Sequence, residues 1–378
     1  QFCEEWLAYG ERMMRKEIAA LPAETVSYTA HHDPIQGAPD GVPVNVTVLV
    51  EPDEERLTVD VTDNVDNLPN GFNLSRATTV AAAYAGVFNN VDPDVPHNQG
   101  SIGRITVEMD EGKVIGIPEE PVGTSVATTN VCDTLFNAVQ AAFGELGTPY
   151  GTAEGNPGMP PNHGVISGTD SRRGGEQYID HIMYIGGGGP ASYGHDGWVT
   201  YGISGSRAVL QRSSVEMDER RYPILVVRNE VVPDSEGAGE WRGAHGSVVE
   251  YGPLTDPMTV AYLGNAREFP PAGILGGEAG APEDAYKRTE DGERVELPII
   301  STEEIQPGET IVGKEAGGGG YGDPLARDVE AVVDDVEAGL VSVGRAEDTY
   351  GVVVEFDGVE PTVDRAATRR RREREGRE

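Results

Sequence analysis

Two unbroken runs of four glycines, 186–189 and 317–320, constrain this chain more than any other feature. A residue without a Cβ adds nothing to an apolar core and loses more backbone freedom on folding than any other. Gly and Pro together supply 76 of the 378 residues, about a fifth of the chain against an average near ~12%. No Gly-X-Y period accompanies the excess, so a collagen helix is excluded and a loop-rich globular fold is expected. The runs are read as sites of tight backbone packing, since only glycine readily takes positive φ. Gly-rich loops also cradle phosphates when they open a helix and bring a Lys. Residues 186–189 have neither, and Lys314 precedes the second run instead of following it. Nucleotide binding is not expected at either.

Periodicity divides the rest. Residues from Glu4 to Ala20 have helical spacing, with Trp6, Leu7, Met13, Met14 and Ile18 as the apolar stripe and Pro22 just beyond. Val44, Val46, Val48 and Val50 alternate with small or polar residues, and so do Leu57, Val59 and Val61, which reads as a hairpin turning over Glu51–Arg56. Ser75 is expected to cap an alanine-rich helix reaching Val87. A strand is expected at Ile102–Val107 and a helix from Thr128 to Phe143. From Thr148 to Ser206 Gly, Ser, Asn and Pro dominate, a stretch too long for an idle loop and a natural place for a site. Strands are expected at Tyr222–Val232, Ser247–Tyr251, Thr259–Leu263, Val295–Ile300, Thr310–Val312 and Gly351–Phe356, with a helix near Val329–Ala338. The class that follows is α+β, mixed and strand-rich, with a few separate helices and long Gly-rich loops. Its divisions are an N-terminal α+β part over 1–147, a mainly β part over 148–364, and a charged tail over 365–378 expected to be disordered.

Charge narrows the partners. With 29 basic and 64 acidic residues the net charge is −35, and such a surface repels nucleic acid. The only lysines are Lys16, Lys113, Lys287 and Lys314. Heavy Asp/Glu with scarce Lys is the pattern of cytoplasmic proteins adapted to concentrated salt, where the screening length shrinks to ~3 Å at 1 M. No apolar run approaches the ~20 residues that span a bilayer. Cys3 and Cys132 are too few for a disulfide framework or a thiolate metal site. The chain starts at Gln1 with no basic-then-apolar signal, and a cytoplasmic location is expected.

Polar candidates concentrate in the glycine-rich middle. Asn162, His163 and Asp170, then His181, then His195 and Asp196 place three imidazoles within one segment, where they could serve as bases or ligands. No G-x-S-x-G elbow supports a serine triad. His31-His32-Asp33 offers imidazole and carboxylate donors, but neighbours on a strand point to opposite faces, so an exposed turn is expected there and not a metal site.

These motifs together resemble the hydantoinase B family, the group that includes N-methylhydantoinase B subunits and 5-oxoprolinase and is related to acetone and acetophenone carboxylase subunits. The resemblance rests on Leu57–Asp63 with Asn73, on Asn98-Gln99-Gly100-Ser101 with Arg104-Ile105, and on Asp133 opening a helix. It continues through Ile185–Gly189 with His195-Asp196-Gly197, and through Asp234–Gly243, similar to a "D-S-G-G-A-G-x-x-R-G-G" motif. Gly317–Gly320 with Tyr321-Gly322-Asp323-Pro324-Leu325, Arg327-Asp328, Asp335-Val336, Gly339–Ser342 and Tyr350–Val353 complete it. The family's His- and Asp-bearing metal segment matches nothing here. Its "N-T-x-N-T-P-x-E" loop survives only as Gln211–Glu216 without the asparagines. The chain is therefore expected to be a C-terminal portion, one half of a split gene or a decayed paralogue.

The resemblance implies a B-type subunit of an ATP-dependent hydrolase acting on C–N bonds of cyclic amides such as hydantoin or 5-oxoproline. Its partner is a hydantoinase A-like ATPase subunit that carries ATP, so a hetero-oligomer is expected. A divalent metal belongs to the family, with ligands unassigned in this chain. Asn162, His163, Asp170, His195 and Asp196 are the candidate polar groups of the pocket. The rival readings are a subunit of an acetone or acetophenone carboxylase and a non-catalytic structural subunit lacking the metal segment.

Overall fold

The alternating valines make the first sheet. In the computed structural model, β2 (Val42–Glu51) buries Val42, Val44, Val46, Val48 and Val50 and turns the residues between them outward. β1 (Thr25–His32) and β3 (Arg56–Asp60) flank it antiparallel, and β4 (Ile105–Glu108) runs parallel to β3. The structure describes residues 1–119, 121–184, 186–199, 212–356 and 360–375. Ile185, Gln211 and the end of the expected glycine-rich stretch therefore lie outside the described residues. The chain forms two compact units, Gln1–Thr152 and Ala153–Glu378, where the sequence suggested a boundary at 147.

In the first unit α1 (Phe2–Ala20) buries Gly10, Met14 and Ile18 and stops at Leu21, which is extended ahead of Pro22. Ser75 accepts from the Thr78 N–H to cap α2 (Arg76–Phe88). Asn98 caps a single turn, α3 (Gln99–Ile102), so the strand expected from Ile102 begins only at Ile105. α4 (Val131–Ala142) packs on β1 and β2 and against α2, where Gly86 allows close approach to Val139. β1 was not legible, since Ser27, Thr29 and His31 face outward between Val26, Ala30 and His32. His32 and Asp33 are buried, which corrects the exposed turn expected there. The His32 Nδ1–H donates to the Asp33 carbonyl (2.7 Å), its Nε2 meets the Asn130 side chain, and burial lowers its pKa to about 4.

The second unit holds two antiparallel sheets. β5 (Val165–Asp170) and β6 (Glu176–His181) form a hairpin inside the glycine-rich stretch. After α5 (Val215–Arg221) come β7 (Ile224–Val231), β8 (Ser247–Pro253), β9 (Met258–Leu263), β10 (Asp284–Arg288), β11 (Arg294–Glu296), β12 (Ile300–Ile305) and β13 (Thr310–Lys314). Pro298 separates β11 from β12, where one strand was expected, because proline cannot donate to a ladder. The strand orders are β11-β10-β13-β8-β7 and β12-β9-β5-β6. Ile166, Tyr251, Val260, Ile305 and Ile311, drawn from both sheets, share one apolar core.

The chain ends in a smaller cluster of α6 (Val329–Glu337), α7 (Val343–Asp348), the β14 (Val354–Phe356) and β15 (Pro361–Val363) hairpin, and α8 (Arg365–Glu375). The tail expected to be disordered is helical over α8. Asp364 caps it, the Thr368 hydroxyl accepts from the Val353 N–H (3.0 Å), and Arg372 donates to the Tyr350 and Arg327 carbonyls (3.0 and 2.9 Å). Composition alone missed these fixed partners for its arginines.

Candidate functional site

The second glycine run leaves β13 and becomes the axis of a core with no side chains. Its four N–H groups donate into three other segments: Gly317 to the Ala281 carbonyl and Gly320 to Glu278, Gly318 to Ala244, and Gly319 to Glu154, at 2.8–2.9 Å. A Cβ on Gly318 would overlap the Gly189 carbonyl, and one on Gly243 would overlap that of Gly318. None of residues 317–320 has positive φ. The expected tight packing is present; in this run its cause is the missing Cβ, whereas in the first run Gly188 does take the positive φ (69°) from which it was inferred. Gly187 and Gly188 likewise spend their N–H groups, on Glu315 Oε2 (2.7 Å) and on the His245 carbonyl (3.2 Å). With all four of its donors occupied, the second run presents none of the free amides that a phosphate needs.

Asn162 and His163 sit on the short turn Pro161–His163 just before β5, held by a Tyr251 hydroxyl bond to the Pro161 carbonyl (2.9 Å). His163 Nε2 donates to Glu315 Oε1 at 2.6 Å, and Nδ1 faces Met183 Sδ at 3.1 Å. The other oxygen of Glu315 accepts from Gly187 N and from the Ser247 hydroxyl, which in turn accepts from Asn162 Nδ2 (3.0 Å). His163 is 4% exposed and Glu315 1%. A carboxylate so buried is costly unless donors surround it, and three do. The order Ser247–Glu315–His163 puts the carboxylate between hydroxyl and imidazole. His163 therefore cannot draw the serine proton as a triad histidine does. The arrangement fixes the 186–189 loop to β8 and β13.

Two further networks frame the glycine core. Arg327 clasps Asp196 with both terminal nitrogens (2.7 and 2.8 Å) and shares Asp335 with Arg242, whose own backbone N–H also donates to Asp196 (2.8 Å). Glu236 takes bonds from Arg345 and the Tyr350 hydroxyl (3.0 Å) and lies 3.1 Å from His245 Nε2. Burial pushes the Glu236 carboxyl up, but the His245 and Arg345 interactions outweigh it and hold its pKa at about 2.

Of the five candidates, Asn162 and His163 thus share the Glu315 cluster, and Asp196 belongs to the arginine network. Asp170 joins neither: it closes β5 and holds Arg172 at 2.9 and 3.0 Å, and that hydrogen bond keeps its carboxyl below the usual range. His195 is exposed in a turn paired with Ser192. Sequence reasoning did not assign Glu315, Ser247, Glu236 or His245. One signal was available for Glu315, a lone acid set between the β13 apolar residues and the glycine run. Among the described residues no three His, Cys, Asp or Glu side chains are arranged to hold a metal ion. The described residues therefore assemble no ligand set that fits the divalent metal implied by the family resemblance.

The fold is shared with known proteins. Residues 1–324 match the family described as Hydantoinase B/oxoprolinase, and the chain belongs to that family. It is similar to the caprolactamase subunit beta of Pseudomonas jessenii, with 30% identity over 364 residues covering 95% of this chain and 61% of that one. The crystal structure of the ATP-dependent caprolactamase from the same organism superposes with a TM-score of 0.82 at 26% identity, covering 98% of this chain and 63% of that one. A nucleotide-free acetone carboxylase structure shares the fold, with a TM-score of 0.81 at 16% identity over 98% of this chain and 55% of its own. The chain spans about three fifths of the length of the caprolactamase subunit.

Proposed function

We propose that this chain forms part of a B-type subunit of an ATP-dependent cyclic-amide hydrolase. It would work with a hydantoinase A-like ATPase subunit that binds and spends the ATP. The observation that carries the reading is the 30% identity to a caprolactamase subunit across 95% of the chain. The carboxylase reading has only a shared fold behind it, at 16% identity.

An unactivated lactam is a poor electrophile. Transfer of the ATP γ-phosphoryl group to its carbonyl oxygen, with release of ADP, makes an imidate-like species. Water then adds to that carbon, the C–N bond breaks as the amine takes a proton, and phosphate leaves to give the ring-opened acid, provided the site stabilises the developing charge. The occupied amides of Gly317–Gly320 agree with nucleotide held on the partner. In this scheme Asn162, His163 and Glu315 are positioning residues for the 186–189 loop, and Asp196 anchors its far end through Arg327. His195 is the candidate that stays exposed, and Asp170 tethers the edge of the hairpin. The substrate class is a five- to seven-membered cyclic amide, as in hydantoin, 5-oxoproline or caprolactam.

The test is co-purification with an A-type ATPase, followed by assay of lactam-dependent ATP hydrolysis and of the ring-opened acid. Activity of the pair and of neither half alone is expected. Ring opening by this chain without nucleotide or partner would overturn the proposal, and consumption that requires bicarbonate would replace it with carboxylation.

A further inference from the structure

Asp170 belongs to neither buried network, and it lines a pocket of its own. The β5–β6 hairpin turns over Ser171–Gly175, where Gly174 and Gly175 take positive φ, and Asp170 pairs with Glu176 across it. Arg173 reaches from this turn to donate to the Arg220 carbonyl (3.2 Å), which joins the hairpin to the C-terminal end of α5. Asp170, Arg173, Glu176 and Tyr178 from the hairpin, with Arg221 and Tyr222 from the end of α5, line an open pocket of about 330 Å³. That is the lower end of the ~300–1,000 Å³ typical of small-molecule sites. The pocket lies at the opposite end of β5 from His163, roughly 20 Å along a strand that rises ~3.3 Å per residue, so it is separate from the Glu315 cluster.

The charges around it are not balanced among themselves. Arg172 holds both oxygens of Asp170, and Asp256 is turned to the Ser171 N–H and the Thr255 hydroxyl (2.9 Å each). Arg173 keeps only a long contact with Asp170 (3.7 Å), and among the described residues Arg221 has no ion-pair partner. Two guanidiniums thus stand at the pocket uncompensated, in a chain whose net charge is −35. Glu176, exposed on the facing strand, likewise has no ion-pair partner among the described residues. The Tyr178 and Tyr222 rings, 5.5 Å between centroids, add apolar surface. Guanidiniums suit a carboxylate, a carboxylate suits an ammonium, and aromatic faces accept a methylene chain. We propose that this pocket binds a small amino carboxylate, its carboxylate on Arg173 and Arg221 and its ammonium on Glu176. Opening a cyclic amide yields such a molecule, so identifying the ligand as the ring-opened product rests on the hydrolase reading above, while the charge pattern of the pocket does not.

The experiment is isothermal titration of the whole 378-residue chain, with no nucleotide or partner added, so its outcome does not depend on turnover. The probe is 6-aminohexanoate, set against hexanoate, hexylamine and inorganic phosphate. Saturable binding of 6-aminohexanoate is expected, about 10-fold tighter than hexanoate or hexylamine, each of which lacks one ionic contact. Arg173→Gln and Arg221→Gln should each weaken it about 10-fold. Glu176→Gln should weaken the amino acid and leave hexanoate no weaker. Arg228→Gln, which alters an exposed arginine of β7, should change nothing. Absence of saturable binding overturns the proposal, as does binding indifferent to all three pocket variants. Phosphate or hexanoate binding as tightly as 6-aminohexanoate would reduce the pocket to a general anion site and overturn it equally. Binding by a chain whose assembled enzyme opens no lactam would uphold the pocket and sink only the hydrolase reading.

Discussion

The first unit and the glycine-framed part of the second solve the same packing problem with opposite materials. In Gln1–Thr152 the interior is side chain: Val42, Val44, Leu57, Val59, Leu135 and Val139 are fully buried and interdigitate. Around Gly317–Gly320 the interior is backbone, crossed by carbonyl-to-amide bonds and ringed by the buried acids Glu236, Glu315 and Asp335. A side-chain core loses only about 1 kcal/mol with a buried methyl group, because neighbours relax part of the way into the space. A backbone core has nothing that can move aside, and its charged frame fails when one partner is lost. The two parts should therefore answer to different substitutions.

The largest contrast comes from adding a single methyl group. Gly318→Ala places a Cβ against the Gly189 carbonyl, where only backbone could yield, and should cost more than about 4 kcal/mol. Leu57→Ala in the first unit removes three carbons from a fully buried site and should cost about 2 to 3 kcal/mol. Thermal unfolding resolves the two, since Trp6 reports the first unit and Trp198 and Trp241 report the second. If Gly318→Ala unfolds no earlier than Leu57→Ala, the backbone core is softer than described.

Next in size is the frame. Glu315→Ala leaves His163, the Ser247 hydroxyl and the Gly187 amide without their acceptor and should cost about 3 kcal/mol, the scale of breaking a buried pair from one side. Removing both partners in Glu315→Ala/His163→Ala should cost less than the two single losses added together. Strict additivity in that double-mutant cycle would mean that the pair is not coupled.

The same contrast explains what the sequence revealed. A side-chain core writes itself as periodicity, so β2, β3, α1 and α2 were readable from Val44–Val50, Leu57–Val61, the Trp6–Ile18 stripe and Ser75, although of that stripe Met14 and Ile18 are buried while Trp6 and Leu7 stay exposed. β1 was not, because its inward positions are Val26, Ala30 and His32, too mixed to show a period. A backbone core leaves only composition. The glycine runs were visible, but the segments they pair with, near 154, 244 and 278, carry no local mark of the pairing. His163 drew attention as an imidazole in a glycine-rich segment, whereas its partner Glu315 lies 152 residues away. Family resemblance supplied Arg242, Arg327 and Asp335 as motif positions without saying that they meet.

Acid should separate the two parts by a smaller margin, and the sign follows from which state holds more protons. Buried His32 stays neutral in the folded first unit down to about pH 4, while the unfolded chain protonates it near 6.5. Between those values the unfolded state binds the extra proton, so the first unit loses stability as pH falls through that window, on the order of 1–2 kcal/mol by pH 5. Glu236 also has a lowered pKa, about 2 against an ordinary 4.5. Its contribution to the second unit is complete above 4.5 and disappears only as pH drops from there toward 2. Lowering pH from 7 to 5 should therefore weaken the signal of Trp6 before that of Trp198 and Trp241. His32→Gln should flatten the first response and leave the second untouched. An unaltered slope for Trp6 in that variant would mean that the early acid loss comes from another group, and that the first unit's side-chain core is not titrated through its buried imidazole.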